Sequence, residues 1–170
     1  MGSEHQGTTS ADFDAIIGPW IGPGYRLAVA MLRDADEAHD AVQEAAVKAW
    51  RSLDRLREGA PARPWFFAIV ANQCRTTMRK RWWNVLRLSG HESLTADPED
   101  SVAQNVDLDR ALASLSPDDR AILHLHFYLD LPLDEVGRVL GISPGAAKSR
   151  VYRAVHRLRP DLELMEEDLR

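Results

Sequence analysis

From Asp34 to Leu56 the apolar residues Ala38, Ala41, Val42, Ala45, Ala49, Trp50, Leu53 and Leu56 recur at three- and four-residue steps. That period lines them along one face of a helix, and it is not the strict alternation of a half-buried strand. Ala121, Ile122, Leu125 and Leu129 repeat the pattern, and so do Val136, Val139 and Leu140. No segment reads as a strand, and no internal repeat is visible. The chain is therefore expected to be all-α.

Punctuation residues divide the helices. Phe13 to Leu32 is helical in pattern but contains GPWIGPG (Gly18–Gly24), whose two Gly-Pro pairs predict a break or kink. Asp34 or Asp36 can cap the next helix. REGAPAR (Arg57–Arg63) reads as a loop, and Pro64 suits the first turn of the helix that follows. Residues 89–107 are polar, acidic and aperiodic, which predicts a flexible linker. Ser116-Pro117-Asp118-Asp119 is a helix start: a capping serine, a proline, then acids against the positive end of the helix dipole. Ser143-Pro144 opens the last helix, and Pro160 is expected to end it. The layout predicts two small helical bundles, over residues 11–88 and 108–160, with an acidic tail at 161–170.

Composition narrows the function classes. The chain has 170 residues, 28% charged and 45% apolar, which suits one medium domain or two small ones. No apolar run approaches the ~20 residues that cross a bilayer, so membrane insertion is not expected. The N-terminal stretch is polar and shows no signal peptide. Cys74 has no second cysteine to pair with, which fits a reducing cytoplasm. His124 and His126 are two apart and point to different sides of a helix, so no metal site, cofactor or enzymatic activity is expected.

The net charge of -5 hides two basic islands. Residues 61–90 carry six bases and no acid, and residues 131–160 carry six bases against two acids. The second island contains a short helix, a turn at Gly141-Ile142-Ser143 and a second helix, the layout of a helix-turn-helix. At 3.6 residues per turn, Ala147, Val151, Ala154, Val155 and Leu158 share the side expected to face the core. Ser149, Tyr152, Arg153 and His156 lie opposite, flanked by Lys148 and Arg150. Arginine can donate a bidentate pair to guanine, and lysine can neutralise phosphates. The competing reading is an amphipathic surface helix whose charges face water.

LPLDEVGRVLGISPGAAKSRVYRAVHRLR (residues 131–159) resembles the fourth region of bacterial RNA polymerase sigma factors of the extracytoplasmic-function type. DADEAHDAVQEAAVKAWRSL (Asp34–Leu53) and RPWFFAIVANQCRTTMRKR (Arg63–Arg81) resemble their second region. The resemblance implies a dissociable subunit that binds core RNA polymerase and directs it to promoter DNA. It also implies an anti-sigma factor as a partner. Asp40, Gln43 and Glu44 then match the polymerase-binding face. Arg63, Asn72, Arg75, Arg79, Lys80 and Arg81 match the stretch that handles the -10 element. Lys148, Ser149, Arg150, Tyr152 and Arg153 match the readers of the -35 element, with His156 on the same face.

This chain departs from the family pattern at several places. Thr76 stands where an aspartate is usual, Ala146-Ala147 where Thr-Val is usual, and Pro132 where a capping serine is common. Trp65 is expected in the core, and Trp82 and Trp83, which follow the basic run, are expected to pack on their own bundle, with base stacking as the competing reading. Two rival functions remain at this level: a sigma-like decoy that binds an anti-sigma factor without reading a promoter, and a stand-alone dimeric helix-turn-helix repressor.

Overall fold

The computed structural model describes residues 10–56, 59–88 and 106–168, with side chains through Arg87 in the second segment and over 110–158 in the third. Most of the linker and the side chains of the acidic tail lie outside the described residues. Among the described residues there is no strand. Helix α1 (Ser10–Ile16) is followed by α2 (Gly18–Leu32) and α3 (Ala35–Ser52), which runs into a tight turn at Leu53–Arg55. Helix α4 spans Ala62–Leu88. The second bundle comprises α5 (Val106–Ser114), α6 (Pro117–Leu123), a π-helical turn at His124–Tyr128, α7 (Leu133–Leu140) and α8 (Pro144–Asp168).

The ends follow the capping chemistry. The break falls at Ile17, and Pro19 sits in the first turn of α2, where its missing N–H removes no bond. The second Gly-Pro pair leaves Pro23 inside α2 without ending it. Asp34 caps α3 by accepting from the Glu37 amide at 2.8 Å. Ser116 caps α6 by accepting from the Asp119 amide at 3.1 Å. Pro132 occupies the cap position of α7 with no side-chain bond.

Helix α8 corrects one expectation: it continues past Pro160 to Asp168. A proline inside a helix removes one backbone bond and costs about 3 kcal/mol. The following Leu162, Glu163, Leu164, Met165, Glu166 and Glu167 are strong helix formers that oppose this.

The first bundle closes around α4. Phe66, Phe67, Val70, Ala71 and Cys74 are buried against Leu27, Ala28 and Met31 of α2 and Ala38, Ala41, Val42 and Ala45 of α3. The alanines let α3 approach its neighbours closely. Trp20 meets Phe67 edge to face at 6.2 Å. Trp65 packs half-buried on this core, as expected. Trp50 does not face inward: it is exposed and meets Phe13 edge to face at 5.4 Å. In a helix this rich in alanine, the bulky ring is accommodated at the margin of the apolar stripe.

The two bundles pack side by side. Helix α4 lies against α7, and α2 against α6, so Ile122, Leu125, Leu131 and Val136 join the apolar cluster of the first bundle. Ala111, Leu115 and Leu158 form a smaller cluster at the far side.

Candidate nucleic-acid interface

The helix-turn-helix is built by backbone geometry at two glycines. Gly141 ends α7 with φ 71°, a left-handed conformation that glycine adopts without steric penalty. The Ile142 amide then donates to the Gly137 carbonyl at 2.9 Å. At Gly137 a Cβ would sit 2.6 Å from the Ile142 carbonyl oxygen, so the turn can close only over glycine. The Ser143 hydroxyl restarts the chain as α8 by accepting from the Ala146 amide at 3.1 Å.

Ala147, Ala154 and Leu158 fix α8 to the core. Val155, expected beside them, is 41% exposed. It lies at the edge of a stripe already filled by small residues and contacts solvent. Lys148, Ser149, Tyr152, Arg153 and His156 are exposed on the outer face, as projected. The rings of Tyr152 and His156 are parallel at 6.3 Å.

Arg150 turns the other way. It lies 3.4 Å from Asp119 Oδ1 and 3.8 Å from Asp118 Oδ2 on α6. Arg157 also donates to Asp119, at 2.9 Å. Asp119 is buried and holds α8 through these two guanidiniums. Its place in the first turn of α6 was legible, but not this second role, because its partners lie 31 and 38 residues away.

The second candidate surface runs along α4. Asn72, Arg79, Lys80 and Arg81 are exposed, while Arg63 and Arg75 are half-buried. Arg79 donates to the Thr76 hydroxyl at 3.3 Å, so Thr76 holds the arginine by a neutral bond where an aspartate would make an ion pair. Arg81 pairs with Glu37 of α3 at 2.8 Å. Arg75 donates to Asn72 Oδ1 and Asp118 Oδ1, both at 3.1 Å, and to the Leu140 carbonyl at 3.3 Å. Arg63 donates to Glu135 Oε2 at 2.8 Å, with its guanidinium 5.9 Å from the Trp20 ring. Two candidate strand-handling arginines thus spend their charge on carboxylates of the other bundle.

Arg120 makes a further cross-bundle link. Its Nε and Nη2 donate to the Ala30 and Met31 carbonyls at the end of α2, each at 2.7 Å. Its Nη1 donates to the Leu115 carbonyl just past α5. Helix C-termini expose unpaired carbonyls and the negative end of the dipole, which a fork of N–H donors satisfies. Burial, with the Arg33 charge as a smaller contributor, holds the Arg120 pKa below the usual arginine value. Sequence reasoning missed this residue because its acceptors are backbone carbonyls, and those on α2 lie 89 and 90 residues away.

On the outer face of α3, Asp40, Gln43 and Glu44 are exposed together, one helical turn apart. Trp82 and Trp83 do not pack on the bundle. They are 57% and 55% exposed. Among the described residues no group of three or more His, Cys, Asp or Glu is placed to hold a metal. No described helix is long and apolar enough to cross a membrane.

A cationic helix-turn-helix on one bundle and an arginine-lined polar helix on the other define a bipartite DNA-binding protein. Residues 19–84 match the family profile Sigma-70 region 2, and residues 105–158 match Sigma-70, region 4. The chain is 32% identical over 148 residues to the RNA polymerase sigma factor SigV of Bacillus subtilis, covering 85% of this chain and 86% of that one. It is 34% identical over 148 residues to the ECF RNA polymerase sigma factor SigL of Mycobacterium tuberculosis, covering 82% of each. Among solved structures, it is similar to the sigma factor RpoE in complex with the anti-sigma factor NepR from Bartonella quintana. The TM-score is 0.75 at 29% identity, over 89% of this chain and 97% of that chain. The chain belongs to the sigma-70 family, in its extracytoplasmic-function group.

Proposed function

We propose that this chain is an alternative sigma factor that binds core RNA polymerase and starts transcription at its own class of promoter. It acts in the cytoplasm as a non-enzymatic subunit. Helix α8 reads the -35 element as duplex in the major groove through Lys148, Ser149, Tyr152, Arg153 and His156, with Arg150 at the edge of that face. Helix α4 and the loop before it handle the -10 element through Arg63, Asn72, Arg75, Arg79, Lys80 and Arg81. Asp40, Gln43 and Glu44 meet the polymerase. Residues 11–88 and 108–160 act as the two working domains. One observation carries the reading: the two sigma regions occur in order on one chain, and the α8 outer face is exposed and cationic.

The mechanism follows from charge. The net charge of -5 opposes nonspecific DNA binding. In the packed arrangement Glu135 and Asp118 occupy Arg63 and Arg75. Polymerase separates the bundles along the promoter, and DNA phosphates replace those carboxylates. Tethering both surfaces to one enzyme raises the effective concentration of each contact. The likeness to the RpoE–NepR complex supports an anti-sigma factor as the partner that keeps the chain from polymerase.

Run-off transcription with core polymerase and a pool of genomic promoters tests this. Discrete products that require the chain are expected, while the chain alone binds the same DNA weakly. No product from any promoter refutes the assignment. Tight binding to a two-fold symmetric duplex without polymerase would instead favour a dimeric repressor.

A further inference from the structure

Among the described residues Trp82 and Trp83 join neither hydrophobic cluster, yet large aromatic rings on an exposed helix are costly to solubility. Their rings meet edge to face at 5.2 Å and remain more than half exposed. At 3.6 residues per turn, Asn72, Arg75, Thr76, Arg79 and Trp83 fall within one side of α4, with Trp82 at its margin. The tryptophans therefore continue the stripe on which Asn72 and Arg79 stand. From Asn72 to Trp83 the helix rises about 16 Å, enough to follow several nucleotides of an extended strand.

The surroundings select the partner. Arg79, Lys80, Arg81 and Arg87 bracket the pair, and residues 61–90 contain no acid. A shallow groove lined by Lys80, Trp83, Asn84 and Arg87 runs along the Trp83 side of the pair. Glu37, the nearby carboxylate of α3, is taken up by Arg81. Exposed aromatics within a cationic groove suit a polyanion that also offers flat apolar faces, and unpaired nucleic acid has both. Duplex DNA hides its base faces. An apolar protein partner would leave Arg79, Lys80 and Arg87 without counter-charge, Arg81 alone having Glu37.

We infer that Trp82 and Trp83 form a stacking platform for unpaired bases of a single DNA strand, extending the strand-handling face of α4 toward the linker. The inference rests on the promoter-reading function above. The platform gives sequence-tolerant hold on a strand that Asn72 and Arg79 orient.

The test uses the full chain and a fluorescein-labelled, mixed-sequence single strand of about 12 nucleotides, beside the same sequence as duplex. Trp82→Ala/Trp83→Ala should weaken single-strand binding about tenfold, and Trp82→Phe/Trp83→Phe should restore it to within about twofold. Duplex binding should change by less than about twofold. Both side chains are exposed, so the thermal midpoint serves as the check on folding, and Trp83→Ala alone gives an independent measurement if the double variant is destabilised. Unchanged single-strand affinity in the Ala variants overturns the inference, as does an equal loss on duplex. So does a loss confined to affinity for core polymerase, which would make the patch a protein contact. Run-off transcription by the wild-type holoenzyme separates the two claims. Product from the wild type together with unchanged strand affinity in the variants removes the platform and leaves the sigma function standing.

Discussion

Arg120→Ala should loosen the two bundles from one another. Its guanidinium makes two 2.7 Å bonds across the boundary, to the Ala30 and Met31 carbonyls, and a further bond to Leu115 within its own bundle. Hydrogen bonds from a charged donor contribute about 1.5–3 kcal/mol each. The carbonyls at the end of α2 regain water when the side chain is removed, so the low end applies to each. The two cross-boundary bonds then amount to about 3 kcal/mol. For a chain of this size that shifts the thermal midpoint by about 6–12 °C. Calorimetry gives the shift, and small-angle scattering gives the radius of gyration, which should rise as the bundles separate. Arg120→Lys should recover less than half of the loss, because one ammonium lacks the rigid fork that reaches both helix ends. A drop below about 1 kcal/mol with an unchanged scattering profile would refute the view that this residue fastens the bundles.

Three further outcomes are expected. Arg153→Ala should cost about 1–3 kcal/mol of holoenzyme binding and relax base preference at the -35 element, read by transcribing a library randomised there. Charge reversal of Asp40 and Glu44 should weaken capture of core polymerase in a pull-down while leaving the circular dichroism melt unchanged, since both side chains are exposed. His124 should make the fold acid-sensitive. Burial, and secondarily the Arg26 charge, lowers its pKa from 6.5 to about 4, and its buried Nε2 has no hydrogen-bond partner among the described residues. The unfolded chain binds this proton more readily than the folded chain, so stability should fall as pH drops from about 6.5 toward 4. Urea titrations across that window should show a flatter profile for His124→Phe, and an equally steep one would exclude His124 as the cause.

Much of the local structure could be read without coordinates because its causes are local. Asp34 and Ser116 cap helices through bonds to amides three residues on, and the alanine stripe of α3 is a matter of period. The outer face of α8 was legible for the same reason. Pro160 misled because a single proline's penalty was set against nothing, whereas the helix formers after it oppose that penalty. Val155 and Trp50 misled because period assigns a side of the helix but not the width of the face its neighbours cover. The pairing of Arg63, Arg75 and Arg150 with carboxylates was invisible, since those partners lie between 31 and 72 residues away.

By itself the amino-acid order determined an all-helical chain, two bundles, a glycine-turned helix pair with a cationic face, and family membership. Each depends on spacing within a turn or two of helix, where the backbone dictates which side chains are neighbours. Only the tertiary structure decided that the bundles share one apolar core, that Arg120 clasps the end of α2, and that some arginines of the proposed DNA-binding surfaces already hold carboxylates while Arg79, Arg153 and the two tryptophans stand exposed. Those facts depend on which surfaces meet in space, and the energy of that meeting is set by residues that no short-range pattern connects.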